Sequence, residues 1–219
     1  MSKIIVDIET SGYELESFDK TVQDYLKKSA DTEEEIQKVR ESLSFYPLTA
    51  QIVAIGLLNP YTDKGAVYYN SDQKYPEYEK DGIVFECGTE AEIIEKFWSV
   101  VNKYETIITF NGRVFDAPFL IIRSAIHRIK PTKNLMPNRF SDEHIDLLDR
   151  LTFFGATRRF NLDTWCHALG IDSPKSEDMN GYKVPEMFKA SKIQEIAEYC
   201  VLDLRATKKL FFLWLEYVK

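Results

Sequence analysis

Long apolar runs, paired cysteines and an excess of basic residues are all missing from this sequence of 219 residues. No stretch approaches the roughly 18 consecutive apolar residues of a membrane-spanning helix, and the amino terminus resembles no secretion signal, so we expect no membrane contact. The 3 cysteines, Cys87, Cys166 and Cys200, are odd in number and far apart. This pattern predicts reduced thiols in the cytoplasm rather than a disulfide framework or a zinc knuckle.

The charge balance is acidic, with a formal net charge of −7 at pH 7. This argues against a protein that holds duplex DNA by neutralising many phosphates on a broad basic face. It leaves room for carboxylates that bind divalent cations, because bound cations reverse the local field that a phosphate would meet.

Glycine and proline are also scarce, with 9 and 8 residues, while 44% of the chain is hydrophobic. We therefore expect one folded domain over residues 1–219, without a long disordered tract. Apolar stretches predict strands at residues 3–8, 51–58, 66–70, 83–87, 106–110 and 145–151. Helical spacing predicts helices at residues 91–104, 115–129, 161–169 and 191–217. The order of these elements predicts an α/β fold, a mixed β-sheet flanked by helices on both faces.

The segment between the first two strands, about residues 11–46, is predicted to be a helical insertion. Its middle, residues 29–43, begins with Ser, Asp and Thr capping candidates and continues as an amphipathic, acidic helix. A later segment, residues 172–182, is rich in charges and turn residues and is predicted to be a loop.

Two carboxylates stand near the end of the first predicted strand, in the sequence VDIET. Asp7 and Glu9 are two residues apart, so a strand directs both to the same face. Such a pair is costly unless it lies exposed at the strand end or binds a cation. From this motif alone, both alternatives stay open.

Two further segments carry candidate functional residues. Asp116 stands at the start of a predicted helix after the Asn111-Gly112 turn, where N-capping is the ordinary alternative. Tyr199 and Asp203 are four residues apart and share one helix face, where a surface hydrogen bond is the alternative. Each signal is weak singly, and the three are specific together.

The segments VDIET, FNGRVFDAPFL and YCVLD resemble, in content and order, the three motifs of the DEDD exonuclease superfamily in its tyrosine-containing (DEDDy) branch. They are most similar to the proofreading exonuclease domain of family B DNA polymerases, here without polymerase motifs. The motifs span Asp7 to Asp203, so the resemblance implies a ribonuclease H-like fold. It also implies a 3′–5′ exonuclease acting on a single-stranded 3′ end, of DNA more than RNA. Because polymerase motifs are missing, we expect a freestanding trimming or DNA repair role.

The resemblance implies a site for two divalent metal ions, Mg²⁺ or Mn²⁺. Asp7 would bridge both ions, Glu9 and Asp203 would complete the nucleophile-side site, and Asp116 would hold the second ion directly or through water. Tyr199 would orient the attacking water, because an ordinary phenol pKa of about 10 makes it a poor base at neutral pH.

Five other residues are candidate substrate contacts: Thr10, Asn111, Phe115, Asp146 and Lys175. Thr10 follows the acid pair, Phe115 would wedge against a terminal base, and Lys175 would reach the scissile phosphate. Asp146 lies at a strand end that is near the substrate cleft in related exonucleases. The ordinary alternatives are a turn for Asn111, a core position for Phe115 and a solvated side chain for Lys175.

Residues 123–139 contain a basic cluster that would guide the backbone of the nucleic-acid strand. A solvated helix face is the alternative. Two rival functions remain beside the DNA exonuclease. One is an exoribonuclease of the same superfamily, because only a contact to the 2′-hydroxyl separates RNA from DNA. The other is a catalytically silent nucleic-acid-binding domain that retains the fold.

Overall fold

A single mixed sheet organises the computed structural model, which describes residues 2–173 and 181–219. Within these residues the sheet has seven strands in the order β4-β5-β3-β2-β1-β6-β7. The strands are β1 (Lys3–Gly12), β2 (Ala50–Leu58), β3 (Gly65–Asn70), β4 (Tyr78–Lys80), β5 (Ile83–Gly88), β6 (Thr106–Thr109) and β7 (His144–Asp146).

The centre of the sheet combines antiparallel and parallel pairs. β1 is antiparallel to β2 and parallel to β6, and β6 is parallel to β7. Lys3 pairs with Thr106 and Ile5 with Ile108, so β1 continues for several residues beyond the last pair with β6. The second half of β1 therefore faces the chain that leaves β6, and this arrangement positions the candidate site.

Helices cover both faces of the sheet, as the sequence predicts. They are α1 (Lys20–Leu26), α2 (Glu33–Ser42), α3 (Glu90–Val101), α4 (Asp116–Ile126), α5 (Leu147–Leu151), α6 (Leu162–Ala168), α7 (Val184–Lys189) and α8 (Ile193–Tyr217). One hydrophobic core includes buried residues of α8 and α5, and a second core includes buried residues of α3 and α4. The two cores lie on opposite faces because neighbouring strand residues alternate between them: Ile5 belongs to the first, Ile4 and Val6 to the second.

The helix starts follow the capping signals in the sequence. Thr89 caps α3 and Thr32 caps α2, each in a capping box with the glutamate three residues later. α8 is one unbroken helix of 25 residues. The predicted strand at 145–151 is wrong in its second half, because the Asp146 carboxylate accepts backbone N–H groups and starts α5 there. β4 and α7 were not predicted.

The connection from β1 to β2 contains α1 and α2, neither of which has a buried residue. It is attached to β1 at its end, where the Thr10 hydroxyl donates to the Ser44 carbonyl over 2.7 Å and the Gly12 N–H donates to Ser44 Oγ over 2.9 Å. Treating the chain as one domain with an insertion at about 11–46 stays a prediction. β1 itself extends to Gly12, beyond the predicted strand end.

No helix in the described residues is both long enough and apolar enough to cross a membrane. Cys87, Cys166 and Cys200 are free thiols, as the sequence predicts. The cytoplasmic location stays a prediction.

Candidate active site

The two acids of β1 lie at the centre of the candidate site. Asp7 is half-buried, and Glu9 is only 7% exposed. In the register with β2, Asp7 pairs with Gly56, and the pairing shifts by a β-bulge between Glu9 and Thr10. Bulges redirect side chains at strand ends and occur often beside active sites.

Gly56 allows α8 to approach the sheet closely at this point. A Cβ atom on Gly56 would lie 2.6 Å from the Cys200 Sγ and 2.7 Å from the Leu204 Cδ1, too close for any side chain. The Cys200 thiol in turn lies 3.6 Å from the Asp7 Oδ2. Close packing at Gly56 therefore brings the face of α8 that carries Tyr199 and Asp203 to the acids of β1.

Asp116 reaches the same site from the start of α4. The N-cap of α4 is Phe115, so simple capping does not explain Asp116. Its Oδ1 instead accepts the backbone N–H of Ile8 over 3.1 Å. Ile8 lies between Asp7 and Glu9, so this bond fixes a third carboxylate beside the first two.

Asp146 holds the loop that delivers Asp116. Its Oδ1 accepts the N–H of Asn111 and its Oδ2 accepts the N–H of Arg113, both over 2.9 Å. Asn111 has a left-handed backbone, with φ of 63°. Asp146 is buried with both oxygens engaged, so the structure does not support its predicted contact with substrate and makes it a positioning residue for this loop.

The electrostatics of the site are those of crowded acids. Burial, followed by repulsion from Asp203 and Asp116, raises the pKa of both Asp7 and Glu9 well above the usual range. Burial also raises the pKa of Asp116 to about 7, although hydrogen bonds from backbone N–H groups oppose the shift. The site therefore favours either protons or a bound cation at neutral pH.

Tyr199 is buried beside these acids. Burial, the charges of Asp203 and Glu9, and a hydrogen bond to the Asp203 carboxylate all raise the pKa of its phenol above the ordinary value. The hydroxyl is therefore protonated at every ordinary pH and donates to Asp203.

The ligand atoms of the site are suited to a cation. Oxygens of Asp7 and Glu9 and the Cys200 sulfur all lie within 4.8 Å of one another. Within the described residues, no lysine or arginine forms an ion pair with Asp7, Glu9 or Asp116. A group of carboxylates with no counter-charge from the described residues fits hard divalent cations with oxygen ligands.

The other predicted substrate contacts differ in their burial and in their partners. Thr10 is buried and its hydroxyl is engaged with Ser44, so that side chain faces the connection to β2. Asn111 is partly exposed at the loop, where its Oδ1 accepts from Arg159 over 3.0 Å. Phe115 is partly buried and packs against Phe119, the core alternative. Lys175 lies outside the described residues.

The predicted basic guide at residues 123–139 is largely wrong. Arg123 is buried and paired with Glu90, and His127 lies 2.8 Å from the same carboxylate. Lys133 donates to the Tyr104 carbonyl, and Arg139 pairs with Asp149. These side chains have partners within the fold, because α4 and the segment after it pack against other elements. Spacing along the sequence does not reveal those partners.

Two contributors to the site were not predicted. Cys200 was interpreted as an ordinary buried thiol, yet it touches Asp7, and its position next to Tyr199 in the third motif was the available signal. Gly56 gave only a weak signal, a lone glycine inside an apolar strand pattern, which marks close backbone approach.

A mixed sheet with helices on both faces and an acidic group at the central strand is consistent with a ribonuclease H-like exonuclease domain. The chain belongs to the family described as predicted 3′–5′ exonucleases related to the exonuclease domain of PolB, whose model matches residues 81–219. This confirms the resemblance drawn from the motifs. The matched residues include Asp116, Tyr199 and Asp203, while Asp7 and Glu9 precede them.

The chain is also similar to a curated polymerase. DNA polymerase 1 of Sulfurisphaera ohwakuensis is 26% identical over 175 residues, which cover 73% of this chain and 19% of the polymerase. The matched part is thus about a fifth of that relative's length.

Proposed function

We propose that this protein is a metal-dependent 3′–5′ exonuclease that hydrolyses phosphodiester bonds at the 3′ end of single-stranded DNA. The observation that carries the proposal is the set of buried carboxylates on β1 and α4, which repel one another and have no counter-charge from the described chain. Membership of the exonuclease family supports the same reaction. A trimming or repair role belongs to this proposal.

Four carboxylates would hold two Mg²⁺ or Mn²⁺ ions: Asp7, Glu9, Asp116 and Asp203. When bound, the ions would stabilise negative charge on the entering and leaving oxygens of the phosphodiester. Asp7 interacts with each of the other acids and would be shared by both ions, as the family resemblance implies. Mg²⁺ and Mn²⁺ prefer oxygen ligands to sulfur, so we assign the Cys200 thiol a packing contact with Asp7 rather than a ligand role.

Tyr199 would orient the attacking water. Its raised pKa disfavours a phenolate that could abstract a proton, and its hydroxyl already donates to Asp203. The remaining lone pairs of the phenol oxygen can accept a hydrogen bond from water. Asn111, at the edge of the loop that holds Asp116, would contact the terminal nucleotide.

The decisive experiment is digestion of a 5′-labelled single-stranded DNA with Mn²⁺ or Mg²⁺. We expect a ladder that shortens from the 3′ end, and at least about a 10³-fold loss of rate in Asp7→Asn and Asp203→Asn, because several kcal/mol of charge stabilisation depend on these ligands. Asp24→Asn, which removes an exposed acid of α1, serves as the matched control and should digest DNA like the wild type.

The two rival functions give different results in the same assay. A matched RNA that is digested faster than DNA would replace the substrate and keep the mechanism. No digestion of either, together with no Mn²⁺-induced rise in melting temperature, would contradict the proposal and favour a silent binding domain.

A further inference from the structure

An exposed group of aromatic and arginine side chains lies on the segments that flank β7 and α5 and takes no part in the site described above. Phe153 is 60% exposed, Phe160 41% and Phe140 67%. Large exposed apolar side chains that lie together mark surfaces that meet a ligand or partner more often than isolated ones do. We name this group, Phe140, Phe153, Phe154, Arg158 and Phe160, the aromatic–arginine surface.

Several rings and guanidinium groups of this surface contact one another in pairs. The Arg158 guanidinium lies 5.0 Å from the centre of the Phe160 ring. Phe140 meets Phe154 edge to face at 4.6 Å, and Arg150 lies over Phe154 at 5.2 Å. These contacts hold flat side chains in fixed orientations before any ligand binds, which lowers the entropic cost of binding.

The backbone at the start of the surface is strained. Phe153 and Phe154 have φ of 52° and 59°, the left-handed conformation that costs free energy for a bulky residue. Gly155 follows with φ of 98°. Such strain persists only where the surroundings enforce it, and it clusters at ligand-binding segments.

The charge of the surface is opposite to that of the whole protein. Three further arginines lie beside Arg158 and the rings: Arg139, Arg150 and Arg159. These three pair with only two aspartates, Asp142 and Asp149. Arg158 is exposed and has no carboxylate partner in the part of the chain that the structure describes. An acidic chain with net charge −7 thus presents a local cationic area.

The aromatic–arginine surface adjoins the candidate active site. Arg159 Nη2 donates to the Asn111 Oδ1 over 3.0 Å, and Arg159 Nη1 lies 2.8 Å from the Asp149 Oδ1. Asn111 begins the loop that carries Asp116. If the 3′ end of a nucleic-acid strand lies at the acids, its next nucleotides can therefore reach this surface.

We infer that the aromatic–arginine surface binds the single strand just upstream of its 3′ end, with bases stacked on Phe160 and Phe153 and a phosphate at Arg158. This inference rests on the proposed function. A single strand offers alternating flat bases and phosphates, which match exposed rings beside the unpaired guanidinium group of Arg158. A duplex hides its base faces within its own stack, so it does not match the rings.

Binding of a 5′-fluorescent single strand of about 12 nucleotides, measured by anisotropy in EDTA, tests this without hydrolysis. We expect Phe160→Ala and Phe160→Leu to weaken binding roughly 5- to 100-fold, and Phe160→Trp to retain it, because stacking needs an aromatic ring. Arg158→Ala should lower the slope of log affinity against log salt by about 0.7, the value for one lost phosphate contact on a single strand. Tyr25→Ala, which removes an exposed ring of α1, is the matched control and should bind as the wild type does.

Three results would overturn the inference: no binding by the wild type, wild-type affinity in Phe160→Ala, or equal affinity in the Leu and Trp variants. Digestion with Mn²⁺, run separately, distinguishes this failure from failure of the proposed function. If digestion occurs but the Phe160 variants bind normally, only the surface is wrong. If the variants bind weakly but the wild type digests nothing, the surface stands and the exonuclease proposal fails.

Discussion

Acidic side chains at two places in this protein have opposite surroundings. Glu90, at the start of α3, is 7% exposed, and both its oxygens are fully engaged. Its Oε1 accepts from the Ile52 N–H over 2.7 Å and from Arg123 over 2.8 Å, and its Oε2 accepts from Arg123 over 2.6 Å. The acids around Asp7 have the opposite surroundings, because their neighbours are other carboxylates.

The comparison separates a structural charge from a functional one. Glu90 is neutralised within the chain, and its partner Arg123 also donates to the Pro47 carbonyl and the Tyr13 hydroxyl, so the ion pair joins α3, α4 and the connection after β1. Asp7, Glu9 and Asp116 are left with repulsion that a divalent cation would relieve. The charge of Glu90 is thus compensated within the fold, whereas repulsion among Asp7, Glu9 and Asp116 destabilises the fold until a cation binds.

The largest effect on stability is expected at the neutralised group. Arg123→Met should lower the free energy of unfolding by about 3–5 kcal/mol, because it leaves the Glu90 carboxylate buried without its counter-charge. Urea unfolding measures this. Lys80→Met, which breaks an exposed pair with Glu198, is the control and should cost less than about 1 kcal/mol. A similar loss in both variants would mean that the burial of Glu90 is unimportant.

The contact that assembles the acids is the next target. Gly56→Ala should lower the free energy of unfolding by about 1–3 kcal/mol, because its Cβ overlaps Cys200 and Leu204 and must displace α8. Displacement of Tyr199 and Asp203 by a fraction of an ångström to 1 Å should slow digestion by up to about 10²-fold. Gly181→Ala meets nothing within 4 Å and is the control. Unchanged digestion in Gly56→Ala would show that α8 adapts.

At the repelling group, loss of charge should stabilise the protein. In EDTA, Asp7→Asn should raise the free energy of unfolding by about 1 kcal/mol at pH 7.5, since it removes a charge that burial and three acids disfavour. In excess Mn²⁺ the order should reverse, because only the wild type gains binding free energy. Thermal unfolding with and without metal measures both values. A variant that is less stable in EDTA would assign Asp7 a structural role.

The last expected effect is a pH dependence in EDTA. The pKa of Asp116 is raised from 3.8 to about 7 in the folded protein, so the folded state binds more protons than the unfolded state between these values. Its contribution to stability is therefore fully present below about pH 4 and is lost as the pH rises through about 7. Urea unfolding at pH 5 and pH 8 should show a larger loss for the wild type than for Asp116→Asn. Parallel losses would contradict the raised pKa.

The motifs of the sequence predicted much of the fold and the main candidate residues, for a physical reason. Two-residue spacing places Asp7 and Glu9 on one side of a strand, and four-residue spacing places Tyr199 and Asp203 on one side of a helix. Capping boxes at Thr32 and Thr89 likewise depend on neighbours three residues apart. Such local geometry is fixed by the backbone, so a sequence pattern is enough to predict it.

Partners far apart in sequence were not predictable in the same way. Asp146 was expected to contact substrate, but its oxygens are used by the loop at Asn111 and Arg113. Arg123 was expected to guide a nucleic-acid strand, but packing of α4 beside α3 buries it against Glu90. Asp146 and Arg123 are residue types that often contact substrate. Only their tertiary partners show whether such a residue positions the fold or binds a ligand.

The sequence by itself determined the α/β order of elements, the acidic motifs and the exonuclease family, because these depend on residue types and short spacings. The tertiary structure decided which acids repel and which are neutralised, and how closely α8 approaches β1 at Gly56. It also decided that Arg159, next to the aromatic–arginine surface, bonds to Asn111 in the loop that carries Asp116. These features depend on contacts between residues tens to nearly two hundred positions apart, which packing of the sheet and helices alone brings together.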